Sequence, residues 1–141
     1  MATQEEKQAY VDEMVRKRGY VLDYHKVMAA HDFEVLQAAN GLVSAAYLDE
    51  RRLDRKTKEL IFITTLTAMR ASKGHIQSHI RVALDLGLSK EEILEAIEIL
   101  LPEAGVVVFQ EGFEAWRQVV DAEGIEPSIE AHGGGSGSRS G

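Results

Sequence analysis

The stretch that decides the fold reads ELIFITTLTAMR (Glu59–Arg70) followed by SKGHIQSHIRVALDLG (Ser72–Gly87). In the first part only threonines interrupt the apolar side chains, which predicts a helix that is apolar around most of its circumference and buried on most sides. The second part predicts another helix, and there His75 and His79 lie four residues apart, on one face. Two such imidazoles can act on one small molecule or one ion. The two segments therefore predict a central helical hairpin that carries the best candidate site.

Signals for helix ends divide the chain before this hairpin. Thr3 and Glu6 have the capping-box spacing, and Gly19 is placed to end the helix that they begin. Apolar residues at helical spacing continue from Tyr20 to Ala30, and Asp32 is a suitable N-cap for the next segment. We therefore expect successive helices throughout this half of the chain.

The signals after the hairpin are clearer. Gly87 is placed as a left-handed C-terminal residue, and Ser89 with Glu92 forms a second capping box, so a new helix starts close to the end of the last one. Pro102 predicts a kink or restart. The run from Val106 to Val108 suits a strand or a helix, and the helical spacing of the aromatic residues that follow favours the helix. No segment alternates as a sheet strand does, so the sequence predicts an all-α bundle of about six or seven helices.

Length and composition indicate one domain. With 141 residues and 45% hydrophobic content, the chain has enough apolar material for one ordinary core. We assign residues 1–124 to a single helical domain and residues 125–141 to a flexible tail, with a Gly/Ser-rich linker at 133–141. The chain contains no cysteine, which excludes disulfide scaffolds, thiol nucleophiles and thiolate metal sites.

The charge balance argues against several kinds of partner. A net charge of -7 disfavours nucleic acid, because phosphate binding needs a basic face. No apolar run approaches the ~20 residues that a membrane span needs, and the first residues show no secretory hydrophobic region. The expectation is a cytoplasmic protein that binds neither nucleic acid nor membrane.

The block from Leu53 to Trp116 resembles the carboxymuconolactone decarboxylase family, which shares the alkylhydroperoxidase D-like fold. Four features carry the resemblance: Lys58-Glu59-Leu60 at the start of the apolar helix, His79 with Ala83 and Gly87 at four-residue spacing, the restart at Ser89, and Ala104-Gly105. The resemblance implies an alkylhydroperoxidase D-like bundle. It also implies a homotrimer or homohexamer that acts on a small anionic organic substrate.

The family has two chemistries, and the resemblance separates them here. Peroxidase-type members carry a Cys-x-x-Cys-x-x-x-His motif, whose three positions are Ser72, His75 and His79 in this chain. Thiol peroxidase activity is excluded, because neither sulfur is present to attack the peroxide or to resolve the product. Decarboxylase-type members also lack the cysteines and act without a cofactor. The implied function is therefore decarboxylation of a small carboxylated lactone or keto acid from aromatic catabolism.

That reaction assigns roles to three residues. Loss of carbon dioxide leaves a dienolate, so the site must stabilise charge on oxygen and deliver a proton to carbon. His79 is the candidate proton donor or oxyanion stabiliser, and Glu59 is a candidate to orient a histidine. His75 lies nearer the positive end of its helix, so we expect a lowered pKa and a neutral ring. For the remaining histidines we expect surface or structural roles: His25, His31 and His132.

The substrate-binding candidates lie around the start of the second helix. Free N–H groups at Ser72 and Lys73 favour an anion, and Arg70 and Lys73 add positive charge. Arg81 is a further candidate if it faces inward. Glu103 is the last one, at a position where the decarboxylase-type members carry an aromatic residue.

Two other classes of function stay open. His-x-x-x-His on a helix is half of a zinc site, so His75 and His79 with Glu59 or Glu103 are an alternative metal site. The second alternative is a non-catalytic family member that serves as an assembly scaffold or binding module. The absence of cysteine permits that reading as well.

Overall fold

The computed structural model describes residues 1–122, and these residues form helices joined by short connections, without a strand. A π-helical stretch, Ser44–Leu48, continues the third helix. The helices, in chain order, are α1 (Gln4–Arg18), α2 (Asp23–His31), α3 (Phe33–Val43), α4 (Arg55–Ala68), α5 (Lys73–Asp85), α6 (Lys90–Glu98), α7 (Leu100–Ala104) and α8 (Val106–Ala122). The predicted all-α class is confirmed, and α6 and α7 form one broken segment. The expected tail, its linker and His132 lie outside the described residues.

The predicted caps set most helix ends. Thr3 and Ser89 each form a capping box, and Asp54 accepts a 2.7 Å hydrogen bond from the Thr57 N–H at the start of α4. Gly19 and Gly87 have φ angles of 85° and 94°, as predicted for left-handed C-terminal residues. These local predictions are confirmed because each depends on only a few neighbouring residues.

The predicted helix from Tyr20 to Ala30 begins later than expected. α2 starts at Asp23, and Leu22 before it is extended, with φ −93° and ψ 158°. The Leu22 N–H donates a 2.9 Å hydrogen bond to Nδ1 of His25, so an imidazole three residues into the motif takes the place that Glu has in a capping box. The apolar periodicity could not show this, because its spacing is the same with or without the cap.

The core lies where α4 and α5 pack against α6 and α8. Its fully buried residues are Ile63, Ile76, Ile80, Ala83, Ile93, Ile97, Ala115 and Val119. At Gly112 an added Cβ would lie 2.6 Å from Cγ2 of Thr67, so glycine allows α8 to approach α4 closely. The central hairpin is therefore fixed by the helices that follow it.

The expectation that α4 is buried on most sides is wrong for a single copy of the chain. Ile61 is 48% exposed and Met69 is 74% exposed. The reason is that α5, α6 and α8 cover one side of α4 and leave these two side chains accessible. Within residues 1–122 no helix combines the length and hydropathy needed to cross a bilayer.

A second cluster joins the three N-terminal helices. Val11, Met14, Ala29 and Leu36 are buried together. The ring of Tyr10 meets that of Phe33 edge-on at 5.1 Å. This cluster fixes α2 beside the end of α1, and that junction forms one wall of the cavity described below.

Candidate active site

The centre of the candidate site is a contact between α5 and α4. His79 of α5 is 1% exposed, and Glu59 of α4 is fully buried. Nδ1 of His79 is hydrogen-bonded to Oε1 of Glu59. The hairpin turn makes α4 and α5 neighbours, and so it brings together two residues that are twenty apart in sequence. A fully buried imidazole and carboxylate are thus paired with each other.

The second oxygen of Glu59 is also satisfied. The Tyr47 hydroxyl donates to Oε2, and Nε of Arg55 lies 3.4 Å from the same oxygen. Nη2 of Arg55 donates in turn to the Tyr47 hydroxyl and to the backbone carbonyl of Arg18, each at 2.9 Å. Burial raises the pKa of Tyr47, and its hydrogen bond to Glu59 raises it further, so the phenol stays protonated and donates. Glu59 is therefore held as a carboxylate whose charge Arg55 balances.

This network fixes the tautomer of His79. Because a carboxylate can only accept, the proton of the neutral imidazole must lie on Nδ1, which leaves Nε2 without a proton. The rings of Tyr20 and Phe62 meet the imidazole edge-on, at centroid distances of 4.7 and 5.1 Å, and hold its plane. His79 is therefore oriented with one nitrogen committed to Glu59 and the other available for chemistry.

The available edge of His79 belongs to a cavity of about 260 Å³. Its lining combines apolar side chains with a few polar groups, as small-molecule sites do. The lining residues are Arg18, Tyr20, Leu22, Tyr24, His25, Val43, Phe62, Thr65, Leu66, His75 and His79. A larger groove of about 560 Å³ lies between α1 and α2, and its lining contains neither histidine nor a buried carboxylate.

His75 lies in the same cavity as His79. Their ring centroids are 5.4 Å apart. The pKa of His75 is lowered, first by burial and then by the nearby His79. The direction agrees with the sequence analysis, but burial is the main cause, whereas the sequence analysis invoked the helix end. The structure thus brings together the three residues predicted to be catalytic: Glu59, His75 and His79.

The predicted substrate-binding residues lie elsewhere. Ser72 accepts a 3.3 Å hydrogen bond from the His75 N–H and so caps α5. Arg70 has a φ of 56° in the turn between α4 and α5. These residues and the others assigned with them are exposed, and none lines the cavity: Ser72, Lys73, Arg70, Arg81 and Glu103. Their side chains face solvent because the buried faces of α5 and α7 are occupied by apolar residues.

The alternative metal site stays a prediction. Glu103 is not among the residues that line the histidine cavity. In the described part of the chain, no three His, Asp or Glu side chains are grouped as a metal site requires.

Several polar residues of the site were not found from the sequence. Tyr47 is not predicted as a site residue, although its hydroxyl reaches Glu59. Arg55 lies four residues before Glu59 on one helix, and that spacing was a usable signal. Arg18 and His25 are 4% and 2% exposed, and His25 was expected to be a surface or structural residue. Burial of ionisable side chains depends on tertiary packing, which no local pattern reports.

The fold and the site together define a helical protein with a buried histidine–carboxylate pair at a small cavity and no thiol. Residues 34–118 match the model of the Carboxymuconolactone decarboxylase family, and the chain belongs to this family. The resemblance seen in the sequence is thereby confirmed. Comparison with curated proteins gives no significant match. The family match includes Glu59 and both cavity histidines of α5, but it does not reach Arg18 or His25.

Proposed function

We propose that the protein is a cofactor-independent decarboxylase that acts on a small carboxylated lactone or keto acid of the kind formed in aromatic catabolism. One observation carries the proposal: His79 is paired with a buried carboxylate and lines a cavity of about 260 Å³. Family membership supports the reaction type. The chain has no cysteine, so the thiol chemistry found in other members has no nucleophile here.

The proposed reaction needs one proton and one site for negative charge. The carbon–carbon bond to the carboxylate breaks, carbon dioxide leaves, and the electron pair moves onto the conjugated carbonyl oxygen as a dienolate. His79 first takes a proton from solvent on Nε2, and this Nε2–H then forms a hydrogen bond to that oxygen and delivers the proton to carbon. Solvent returns the proton to His79 afterwards. Glu59 lies beside the ring and compensates its positive charge, so we assign it a positioning and electrostatic role.

His75 has a different role in this proposal. Its lowered pKa favours the neutral ring at pH 7. A neutral imidazole beside His79 can accept or donate a hydrogen bond to the substrate without adding charge. We therefore assign His75 to substrate positioning.

The test follows carbon dioxide release from carboxymuconolactone and from a β-keto acid. We expect His79→Gln to lower kcat by about 10²–10⁴-fold, the usual contribution of a positioned acid or base. The matched control is His31→Gln, since His31 is an exposed histidine outside the cavity, and it should leave kcat unchanged. In D₂O the product should carry one deuterium at the carbon that lost the carboxylate or at its conjugated position.

Two results would contradict the proposal. One is a folded wild-type protein that releases no carbon dioxide from either acid. The other is a folded His79→Gln protein that keeps the wild-type rate. Retention of full activity in EDTA is expected, and loss of activity that zinc restores would favour the metal-dependent alternative.

We also propose that the protein self-associates as a homotrimer or homohexamer. Apolar side chains around α7 are unusually exposed for a monomer, and such patches commonly mark interfaces. Those side chains are Ile99, Leu101, Val106 and Val107, which are 62%, 38%, 59% and 65% exposed. Light scattering should give three or six times the 15.6 kDa chain mass, and the mass of one chain or of two would contradict this assignment.

A further inference from the structure

Arg18 is a buried cation without a counter-ion. It lies in the last turn of α1, is 4% exposed, and lines the His79 cavity. Its Nη2 donates a 2.5 Å hydrogen bond to Oδ1 of Asn40, whereas its Nε has no partner. Among residues 1–122 no carboxylate forms an ion pair with it. Buried charges are normally paired, so this guanidinium is suited to an anion that comes from outside the chain.

His25 adds a second unsatisfied donor at the same place. Its Nδ1 accepts the Leu22 N–H at 2.9 Å and therefore carries no proton. Burial, with a further contribution from the Arg18 charge, lowers the pKa of His25 to about 4, so the ring is neutral at pH 7 with its proton on Nε2. This Nε2 lies 3.5 Å from Nη1 of Arg18. Both nitrogens are donors, so they do not bond to each other, and an acceptor between them would satisfy both.

We propose that Arg18 and His25 form the binding site for a carboxylate group of the substrate in the His79 cavity. The proposal rests on the cavity being the substrate site, as proposed above. Nη1 of Arg18 and the Nε2–H of His25, which lie 3.5 Å apart, supply the donors for the carboxylate oxygens. Glu59 is already balanced by Arg55, so Arg18 is the positive charge left to attract an acid.

The chemistry of the reaction says which carboxylate this is. The carboxylate that leaves as carbon dioxide loses its negative charge during the reaction. A strong ionic contact to that carboxylate would therefore stabilise the ground state more than the transition state. Arg18 therefore holds a carboxylate that remains in the product. The apolar wall formed by Leu22, Phe62 and Leu66 accommodates the ring or chain that connects the two ends.

Isothermal titration of the full chain tests the site without turnover. The probe is coumalate, a stable unsaturated lactone with one carboxylate, and methyl coumalate is the same molecule with that charge removed. We expect coumalate to bind the wild type at least about tenfold more tightly than the ester does, as a charged hydrogen-bonded contact implies. Arg18→Met should abolish this preference, and Arg16→Met should keep it, because Arg16 is an exposed arginine on the same helix.

Asn40→Ala is the control for a loss of local structure around Arg18. It removes the hydrogen bond that Arg18 makes within the protein but keeps the guanidinium charge, so it should retain most of the preference for coumalate. The proposal is overturned if the wild type does not bind coumalate, if the ester binds equally well, or if folded Arg18→Met keeps the preference. Inorganic phosphate that displaces coumalate at equal concentration would overturn the assignment to a carboxylate.

The two proposals fail in different ways. If no acid is decarboxylated but coumalate binding depends on Arg18, the anion site stands and the decarboxylase assignment falls. If turnover requires His79 but is unchanged in Arg18→Met, the decarboxylase assignment stands and this site falls.

Discussion

Replacement of Glu59 by Gln should reverse the tautomer of His79. The amide has one oxygen and one NH₂ group in place of two acceptors. Arg55 and Tyr47 both donate on one side of position 59, so the Gln oxygen must face them, and its NH₂ must face Nδ1 of His79. Nδ1 then has to accept, and the proton of the neutral ring moves to Nε2. The ring keeps its place, but its Nε2, which is an acceptor in the neutral wild-type ring, becomes a donor.

The size of the effect follows from the contacts that change. Hydrogen bonds to a charged group contribute about 1.5–3 kcal/mol, and neutral ones contribute about 1 kcal/mol. Three donors meet the fully buried Glu59 carboxylate, and two of them keep a neutral acceptor in Glu59→Gln. Relief of the cost of burying a charge works in the opposite direction. We expect a loss of about 1–3 kcal/mol in the free energy of unfolding, and a fall in kcat of about 10²–10⁴-fold, as for other reversed imidazoles.

The decisive assay is the nitrogen-15 correlation spectrum of the imidazole rings, which distinguishes a protonated Nδ1 from a protonated Nε2 and needs no substrate. Wild-type His79 should show Nδ1–H, and Glu59→Gln should show Nε2–H. The control is Tyr47→Phe, which removes one donor to the carboxylate but keeps its charge and should leave Nδ1–H in place. An unchanged His79 tautomer in folded Glu59→Gln would refute the reasoning, as would a neutral His79 ring in the wild type that carries its proton on Nε2 and none on Nδ1.

Three further predictions concern stability, measured by urea unfolding. Gly112→Ala should lower the free energy of unfolding by about 1–3 kcal/mol, because the new Cβ would lie 2.6 Å from Thr67. The control is Gly41→Ala, whose new Cβ has nothing within 4 Å and which should raise the free energy of unfolding by about 0.5–1 kcal/mol. Equal effects of the two substitutions would contradict this prediction. The pKa of His25 falls from 6.5 to about 4 on folding, so the unfolded chain binds the extra proton and stability is lost as pH falls from 6.5 towards 4. Between pH 6.5 and 4 the wild type should lose about 1–3 kcal/mol more unfolding free energy than His25→Gln does. If unfolding free energy depends on pH equally in the two proteins, the prediction is wrong. Ser89→Ala should cost about 1 kcal/mol by removing the α6 capping box, and no change would show that the cap is dispensable.

Local patterns predicted the parts of the structure that local physics determines. The Ser89 capping box and the left-handed Gly87 each involve a few adjacent residues, and both were found from the sequence. The four-residue spacing placed His75 and His79 on one face, and the structure puts both in one cavity. Glu59 is also predicted from the sequence, as a carboxylate on the preceding helix that can orient a histidine, and the structure pairs it with His79.

The polar wall of the cavity could not be predicted in the same way. Arg18 in the last turn of α1 reads as an ordinary basic residue that suits the helix dipole. His25 reads as a surface or structural histidine, and the packing of α2 against α1 buries it. The substrate contacts were instead expected at Arg70, Lys73 and Arg81, where charge lies near His79 in sequence but faces solvent in the structure. Sequence proximity was a poor guide to spatial proximity.

The residues of the cavity come from two parts of the chain, one inside the region that matches the family and one before it. Residues 34–118 supply His79, which lines the cavity, and Glu59, which is hydrogen-bonded to it behind the cavity wall. Arg18 and His25 come from the segment before that region, and within residues 1–122 Arg18 is the one arginine, lysine or carboxylate side chain that lines the cavity. Substitutions in the matched region should therefore alter the rate with every acid, whereas substitutions at Arg18 and His25 should alter which acid is bound. On this reasoning Glu59 and His79 of the matched region would carry the proposed reaction, and Arg18 and His25 before it would select among acids.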